Sequence, residues 1–496
     1  MSAHEADVLI IGGGCLGAAV ARELSKYKVT VTLVEKEVDF GWGSSKANFG
    51  MVNQGEDCIE FRPEYHRSKL VWNSMKAMAP LCQELEVPFK TVGGIGLFFD
   101  NKERATFARL DSKAGKVREM GYDWVGPHQW IDRDTLRKME PNITRKAIGG
   151  LLESHIAVTD PTKLTIALAE NAQQNGVHMM LGTEVVSISA GTEEFKVQTS
   201  NGSIKTRFIV NAAGVYVDKI AAMVKADDFI MYPVRAYIAV CDKKVSGLIN
   251  HVVYRIPDEP GQMQSLAPTV DGNLIFGIPL IQARRDELAS TKEMQDLALK
   301  NVRGLIPDLK PSDVIKYFTG TMMMKNFEVG WHECVLNASK KVPGLINLSI
   351  GYPGISAAPA AAEEVVEMLS KQGLQLKENS KFNPKRKDIP DFSELSDGER
   401  NQLIAQDPRY GHIVCRCETV TEGEIVEAIR NGANTIDGIK HRVRAGMGRC
   451  QSGFCRPRMI SILARELGIP EEEVTMKGPG SRELLYKSKE LLKGGE

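Results

Sequence analysis

Four of the nine cysteines fall within forty-one residues, as Cys415-Arg-Cys417, thirty-two further residues, then Cys450-Gln-Ser-Gly-Phe-Cys455. Four thiolates at two paired spacings can hold a metal centre, an iron–sulfur cluster or a structural zinc. C-x-C is less typical of zinc ribbons than C-x2-C, which favours the cluster. Arg416, Lys440, Arg442, Arg444 and Arg449 surround the quartet. They either offset a cluster's negative charge or form an ordinary solvated surface. Cys15, Cys58, Cys82, Cys241 and Cys334 are scattered and read as small buried hydrophobes.

The other end of the chain carries Gly12-Gly13-Gly14-Cys15-Leu16-Gly17, a G-x-G-x-x-G run. It follows a strand-like stretch and opens a helix-like one, the context a dinucleotide-binding turn needs. Gly12 permits the tight turn, Gly14 lets the backbone approach a pyrophosphate, and Gly17 allows close helix–strand packing. Glu35 follows Gly17 by eighteen residues, at the end of the next strand, where a carboxylate accepts from an adenosine ribose. The turn alone does not separate FAD from NAD. Three later glycine-bearing segments favour FAD: Gly41–Gly55, Ile209–Asp218 and Ile350–Ala358. The last leads into a helix whose N-terminus can stabilise negative charge on a reduced flavin.

These residues need elements to position them. Asp7–Gly17 and Val29–Glu35 read as β-α-β, and residues 60–140 as mainly helical. Strands are expected near Val185–Val197 and Arg207–Ala213, and residues 230–280 are strand-rich. The expected division is an oxidoreductase region 1–370, a linker 371–410, a cysteine domain 411–475 and a tail 476–496. Within the first, segments 1–80, 145–225 and 330–370 hold the nucleotide, and 81–144 and 226–329 the substrate. Lys+Arg and Asp+Glu are both 63, so no global field favours nucleic acid or anionic membrane. With no export signal or apolar span, the expected location is the cytoplasm, with peripheral membrane attachment through a partner left open.

In this order the segments resemble the FAD-dependent oxidoreductases of the D-amino-acid-oxidase superfamily. Within it the chain is similar to the large subunit of the anaerobic glycerol-3-phosphate dehydrogenases and to their 2-hydroxyglutarate dehydrogenase relatives. Pro268-Thr-Val-Asp271-Gly272-Asn273-Leu and Gly344-Leu-Ile-Asn347 match that group. Val414–Glu418, Thr421–Ile425, Lys440, Arg442 and Gly446–Cys455 resemble the bacterioferritin-associated-ferredoxin-like [2Fe–2S] domain fused to the same large chain. The resemblance implies an α/β Rossmann-like FAD-binding domain, an α+β domain with an antiparallel sheet over the flavin, and a small helical [2Fe–2S] domain. It implies FAD contacts at Gly12, Gly14, Gly17, Glu35, Lys36, Ser44, Ser45, Asn48, Val185, Gly214, Gly351, Gly354, Ile355 and Ser356. It implies cluster ligation by Cys415, Cys417, Cys450 and Cys455.

A flavin takes two electrons together and a [2Fe–2S] centre carries one at a time. The pairing therefore points to a dehydrogenase with a partner acceptor, a second flavoprotein or iron–sulfur subunit. The expected substrate is a small secondary alcohol, glycerol-3-phosphate-like or a 2-hydroxy acid. Two alternatives stand beside it: an amine or imino-acid dehydrogenase, and an electron-transfer subunit of a multi-subunit flavoenzyme. The related alcohol dehydrogenases carry histidine where this chain has Asn53, and an arginine just after the glycine matching Gly320. Asparagine accepts no proton, and the run here is Thr321-Met322-Met323-Met324-Lys325. Candidate replacements are His251, Tyr254 and Arg255 on one strand-like stretch, Arg235 and Tyr237 on a shared strand face, and Lys325. His251 and Tyr254 are three apart, so only one of them faces the flavin.

Overall fold

The computed structural model describes all residues except 1–3, 53–65, 123–127, 256–263, 326–333 and 492–496, and the side chains of 106–107, 278–280 and 490–491. The chain divides into one unit of Met1–Lys36 with Phe40–Arg386 and a second of Glu37–Asp39 with Lys387–Glu496.

The first unit is built on β1 (His4–Ile11), an apolar strand buried along its second half because it lies mid-sheet. Helix α1 (Cys15–Ser25) and strand β2 (Val31–Val34) complete the β-α-β turn. β1 pairs in parallel with β2 and with the strand Gly202–Asn211, which in turn pairs in parallel with Leu345–Ser349. The antiparallel strands Val185–Ala190 and Phe195–Thr199 extend the same sheet. Ala18, Ala19 and Ala21 on α1 are buried, and small side chains there let helices Pro161–Gln174 and Gly354–Lys371 pack close. Asp160 caps the first of these by accepting from Thr162 and Lys163 N–H, with Pro161 at the first helical position.

A second sheet runs in the order Val314–Lys325, Met231–Cys241, Leu274–Gln282, Gln264–Pro268, Val252–Arg255, Gly94–Phe98, Gly149–Glu153, Gln129–Asp132. Its pairs are antiparallel except Val252–Arg255 with Gly94–Phe98. The sheet has two apolar faces. On one, Tyr237, Ala239 and Cys241 meet Met294 and Ala298 of helix Lys292–Leu305. On the other, Ile238, Val252, Tyr254, Ala267 and Ile275 meet Phe49 and Met51, the segment that follows the nucleotide turn.

The stretch expected as a linker is pinned at its start. Lys28 N–H donates to the Lys377 carbonyl at 2.7 Å, and Arg386 reaches Glu170 at 2.6 Å and the Leu85 carbonyl at 3.0 Å, all within the first unit. Charge and proline suggest solvent; the charged groups instead find partners. Further on, the same stretch forms the helix Asp397–Gln406, capped by Ser396 and Glu399.

The second unit joins the short strands Ile413–Cys415 and Val420–Thr421 to helices Glu422–Arg430, Ile436–Val443 and Arg456–Leu467. Their apolar faces share one core with Cys415 and Cys455. Thr421 and Glu424 form a reciprocal cap that fixes the start of the first helix just after the first cysteine pair. Arg442 and Asp39, both buried, form a two-pronged ion pair at 2.6 and 3.0 Å.

Candidate functional site

The glycine turn has the close backbone contacts that its spacing predicts. Gly12 sits at φ +111°, and a Cβ there would lie 2.4 Å from the Ala212 carbonyl oxygen. A Cβ on Gly17 would lie 2.0 Å from the Gly12 carbonyl oxygen, so the turn and α1 are in backbone contact. Glu35 Oε2 accepts from Gly13 N–H at 2.6 Å, which fixes the carboxylate beside the turn, where a ribose would meet it. The Lys36 ammonium lies over the Tyr216 ring at 4.2 Å, just past Gly214, which opens the short helix Gly214–Tyr216 at φ +55°. Val185 starts its strand as core, in the apolar cluster with Leu9, Ile11 and Val34.

The other segments expected to hold FAD converge by direct contact. Ser45 Oγ accepts from Cys15 N–H at 3.0 Å, at the start of α1. Ser44 Oγ donates to the Thr321 carbonyl at 2.5 Å, and a Cβ on Gly320 would meet Ala47 Cβ at 2.6 Å. Asn48 Oδ1 accepts from Gly50 N–H at 2.8 Å and shapes the next bend. Beyond Gly320, the same strand places Met324 Sδ 2.6 Å from where a Gly351 Cβ would be, with Gly351 at φ +72°. Arg67, itself buried, donates to the Tyr352 carbonyl at 2.8 Å and steadies that turn. Helix Gly354–Lys371 starts there. Ile355 enters the core, a Cβ on Gly354 would meet nothing within 4 Å, and buried Ser356 Oγ has no hydrogen-bond partner among the described residues. A glycine turn packed on its own backbone, open space beside Gly214 and Gly354, and a helix start with an unsatisfied buried Ser356 hydroxyl fit FAD.

The substrate-end candidates divide by sheet face. Arg235 and Tyr237 do share a face, but it is the one covered by helix Lys292–Leu305 and the loop before it. Arg235 Nη1 donates to the Glu287 and Ala289 carbonyls at 3.3 and 3.1 Å, and its other Nη pairs with Glu287 at 3.0 Å. Tyr237 receives a hydrogen bond from Ser290 Oγ at 3.3 Å, and burial pushes its hydroxyl up to about 12. These two are structural, because strand alternation turns them away from Phe49 and Met51. His251 is structural too. Buried Glu140 Oε1 accepts from Asn250 N–H and His251 N–H and meets His251 Nδ1 at 2.7 Å, locking the strand entrance. Arg255 pairs with Glu103 at 2.9 Å and lies over the Phe99 ring.

Tyr254 is the member of that stretch on the face toward Phe49 and Met51, and its hydroxyl donates to buried Glu153. Gly320 and Met322 stand opposite Ala236 and Val234 in the antiparallel register, so Met322 shares the face that carries Gly320 against Ala47. An apolar side chain thus stands on that face, while Thr321, next to Gly320, is opposite Arg235 on the other face. Lys325 ends this strand opposite Met231, and Asn53 lies outside the described residues.

One further cluster had no signal in the spacing. His66 Nε2 meets Glu364 Oε2 at 2.7 Å, and the sulfur of Cys334 together with that carboxylate holds the imidazole up, to about 10. Burial pushes the thiols of Cys15, Cys82 and Cys241 up to about 12, as small core side chains. Cys58 lies outside the described residues.

In the second unit the quartet comes as two pairs, Cys415 with Cys455 and Cys417 with Cys450. The hydrogen bond from Cys455 and several backbone amides, Gly446 N–H at 3.4 Å among them, draw the Cys415 thiol down; Cys455 is pushed up. Four thiols in two neighbouring pairs fit a [2Fe–2S] cluster, which takes two thiolates for each iron. Gly448 must be glycine, since a Cβ would lie 2.3 Å from Cys417 Cβ. Three of the surrounding cations are matched within the unit: Arg442 to Asp39, Lys440 to Asp437 and Arg444 to Glu418.

The FAD dependent oxidoreductase family matches residues 7–368, and the BFD-like [2Fe-2S] binding domain matches residues 413–465. A glycerol 3-phosphate dehydrogenase of Caloramator mitchellensis is 39% identical over 96% of this chain and 97% of its own. One subunit of the anaerobic glycerol-3-phosphate dehydrogenase of Escherichia coli is 24% identical over 93% of this chain and 88% of its own. The structure of dithionite-reduced L-alpha-glycerophosphate oxidase from Mycoplasma pneumoniae with FAD bound aligns at a TM-score of 0.71 with 27% identity, covering 77% of this chain and 98% of that one. The chain therefore belongs to the FAD dependent oxidoreductase family, and carries a BFD-like [2Fe-2S] domain behind its flavin fold.

Proposed function

We propose that this protein is a cytoplasmic dehydrogenase that oxidises glycerol 3-phosphate or a closely related small secondary alcohol. Its electrons leave through the cysteine module to a partner protein. The observation that carries this reading is the 39% identity to a glycerol 3-phosphate dehydrogenase across both modules. The absence of a helix long and apolar enough to cross a membrane, among the described residues, accords with it. When bound, FAD supplies a two-electron acceptor and the cluster a one-electron carrier. The chain's own part is positional. The Gly12–Gly17 turn and Glu35 hold the nucleotide end, and Ser44, Ser45 and the Gly351 turn form the cradle further along. Phe49, Met51 and Tyr254 present an apolar wall that excludes water, and Glu153 keeps the Tyr254 proton inside it.

Anaerobic mixing with glycerol 3-phosphate should bleach the flavin absorbance, followed by reduction of the cluster. No bleaching with this compound or a panel of 2-hydroxy acids would defeat the reading. A second reading, oxidation of an amine or imino acid, is favoured by one specific observation: Asn53 stands where the resemblance expects a base, and the run Thr321-Met322-Met323-Met324 follows Gly320 where it expects a cation. A neutral amine needs neither. Bleaching by proline or sarcosine, and not by hydroxy compounds, would decide for it.

A further inference from the structure

The cysteine module does not bury its four thiols equally. Cys415 and Cys455 are each 1% exposed, whereas Cys450 is half-buried and Cys417 exposed. Whatever the quartet holds is therefore nearest to solvent at the Cys417–Cys450 side. Phe454, inside the second cysteine loop, is 74% exposed, among the most exposed of the large apolar side chains in the described chain. A single exposed apolar residue is ordinary, but this one adjoins a ligand cysteine and stands within a charged rim. Segments 413–420 and 444–458 contain five arginines and one carboxylate, Glu418. Arg444 takes Glu418, and Arg456 takes Glu483 at 3.1 Å. Arg416 and Arg458 are exposed in these segments, and Arg458 is held against the Ile413 carbonyl at 3.3 Å, next to the first cysteine pair. The chain as a whole is neutral, with 63 charges of each sign, so this is a local field and not a general one.

We infer that the surface formed by Phe454, Arg416 and Arg458 is the docking site for an acidic one-electron carrier protein. The inference rests on the electron-exit reading above and names where and to what the electrons leave. A basic rim steers an acidic partner and orients it, and an aromatic at the centre supplies the desolvated anchor that such interfaces use. Each carrier takes one electron, so two are reduced for every alcohol oxidised to a carbonyl, with two protons released to solvent.

Cytochrome c, natively basic, and succinylated cytochrome c, whose lysines have become acidic groups, carry the same haem behind opposite surfaces. The cofactor-loaded enzyme should reduce the succinylated form at least about tenfold faster than the native form at low ionic strength, with the gap closing at high salt. The oxidised protein should bind the succinylated form measurably, without turnover, in sedimentation or calorimetry. Arg416→Glu with Arg458→Glu should abolish both the binding and the preference, and Phe454→Ala should weaken binding at all salt concentrations. Each variant should leave substrate-driven flavin bleaching unchanged, since all three residues are exposed and belong to the second unit, whereas the flavin cradle is built from the first. Equal rates with the two cytochromes, or charge reversal without effect on binding, overturns the docking site alone. If Cys450→Ser, lacking the cluster, still reduces the succinylated form as fast as wild type, the exit through the cysteine module fails, and the docking site with it.

Discussion

Gly17→Ala tests the nucleotide turn at its tightest point. The added Cβ would lie 2.0 Å from the Gly12 carbonyl oxygen, 3.2 Å from the Gly12 carbonyl carbon and 3.4 Å from Ile10 Cγ2. Real contacts of this kind stop near 3 Å, so turn and helix must separate by about 1 Å. Neither can retreat freely. Gly12 N–H is bonded to the Val34 carbonyl at 2.8 Å, and Ala212 closes its other side. Helix α1 is packed against helices Pro161–Gln174 and Gly354–Lys371 by buried alanines. Overpacking of this kind costs about 1–3 kcal/mol. The displaced turn should raise the dissociation constant for FAD about ten- to a hundredfold, equivalent to about 1.4–2.8 kcal/mol. The assay is titration of flavin-free protein with FAD, following fluorescence, beside thermal unfolding with and without the flavin. Gly304→Ala is the control, because its Cβ would meet nothing within 4 Å and its helix is exposed there. FAD affinity within about twofold of wild type, with unfolding shifted no further than in the control, would refute the steric argument.

Asp39→Ala should strip the counter-charge from buried Arg442 and cost about 3–5 kcal/mol, read as loss of cluster absorbance at lower temperature or denaturant. Tyr254→Phe removes the donor to buried Glu153, and leaving that carboxylate under-satisfied should cost about 1–3 kcal/mol in chemical unfolding. The imidazole of His66 titrates higher folded than unfolded, so its contribution is complete below pH 6.5 and is lost as pH rises through about 10. His66→Gln should therefore lower the melting temperature most at pH 6 and least near pH 10; a gap constant across that range would remove the charge explanation. Cys417→Ser should abolish the cluster's visible absorbance while FAD remains bound, because the two thiol pairs and the glycine cradle lie in separate units.

Short spacing encodes what is legible in the sequence. The β-α-β turn, Glu35 beside it and the two thiol pairs each lie within a few dozen residues, and strand and helix periods suffice to place them. Arg235 and Tyr237 fall on one face as alternation requires, but alternation cannot say which face a helix covers; that depends on Lys292–Leu305 folding back from fifty residues away. His251 has the chemistry of a base, yet its partner is Glu140, 111 residues earlier in the chain. Arg67 and Tyr352, 285 residues apart, and His66 and Glu364, 298 apart, leave no trace in any local pattern. Tyr254 is one of two possibilities on its strand, and only the packing of Phe49 and Met51 chooses it.

The strand Val314–Lys325 touches the Ser44–Ala47 bend at Thr321 and Gly320 and the Gly351 turn at Met323 and Met324. It thereby acts as a ruler between two segments some three hundred residues apart in the chain. Because side chains alternate, a one-residue insertion upstream of Gly320 within it would put a larger residue against Ala47 and turn Met322 to the other face. Along a lineage of such proteins, changes in length should therefore accumulate outside this strand, while adaptation to a new substrate proceeds by substitution at fixed positions such as 322.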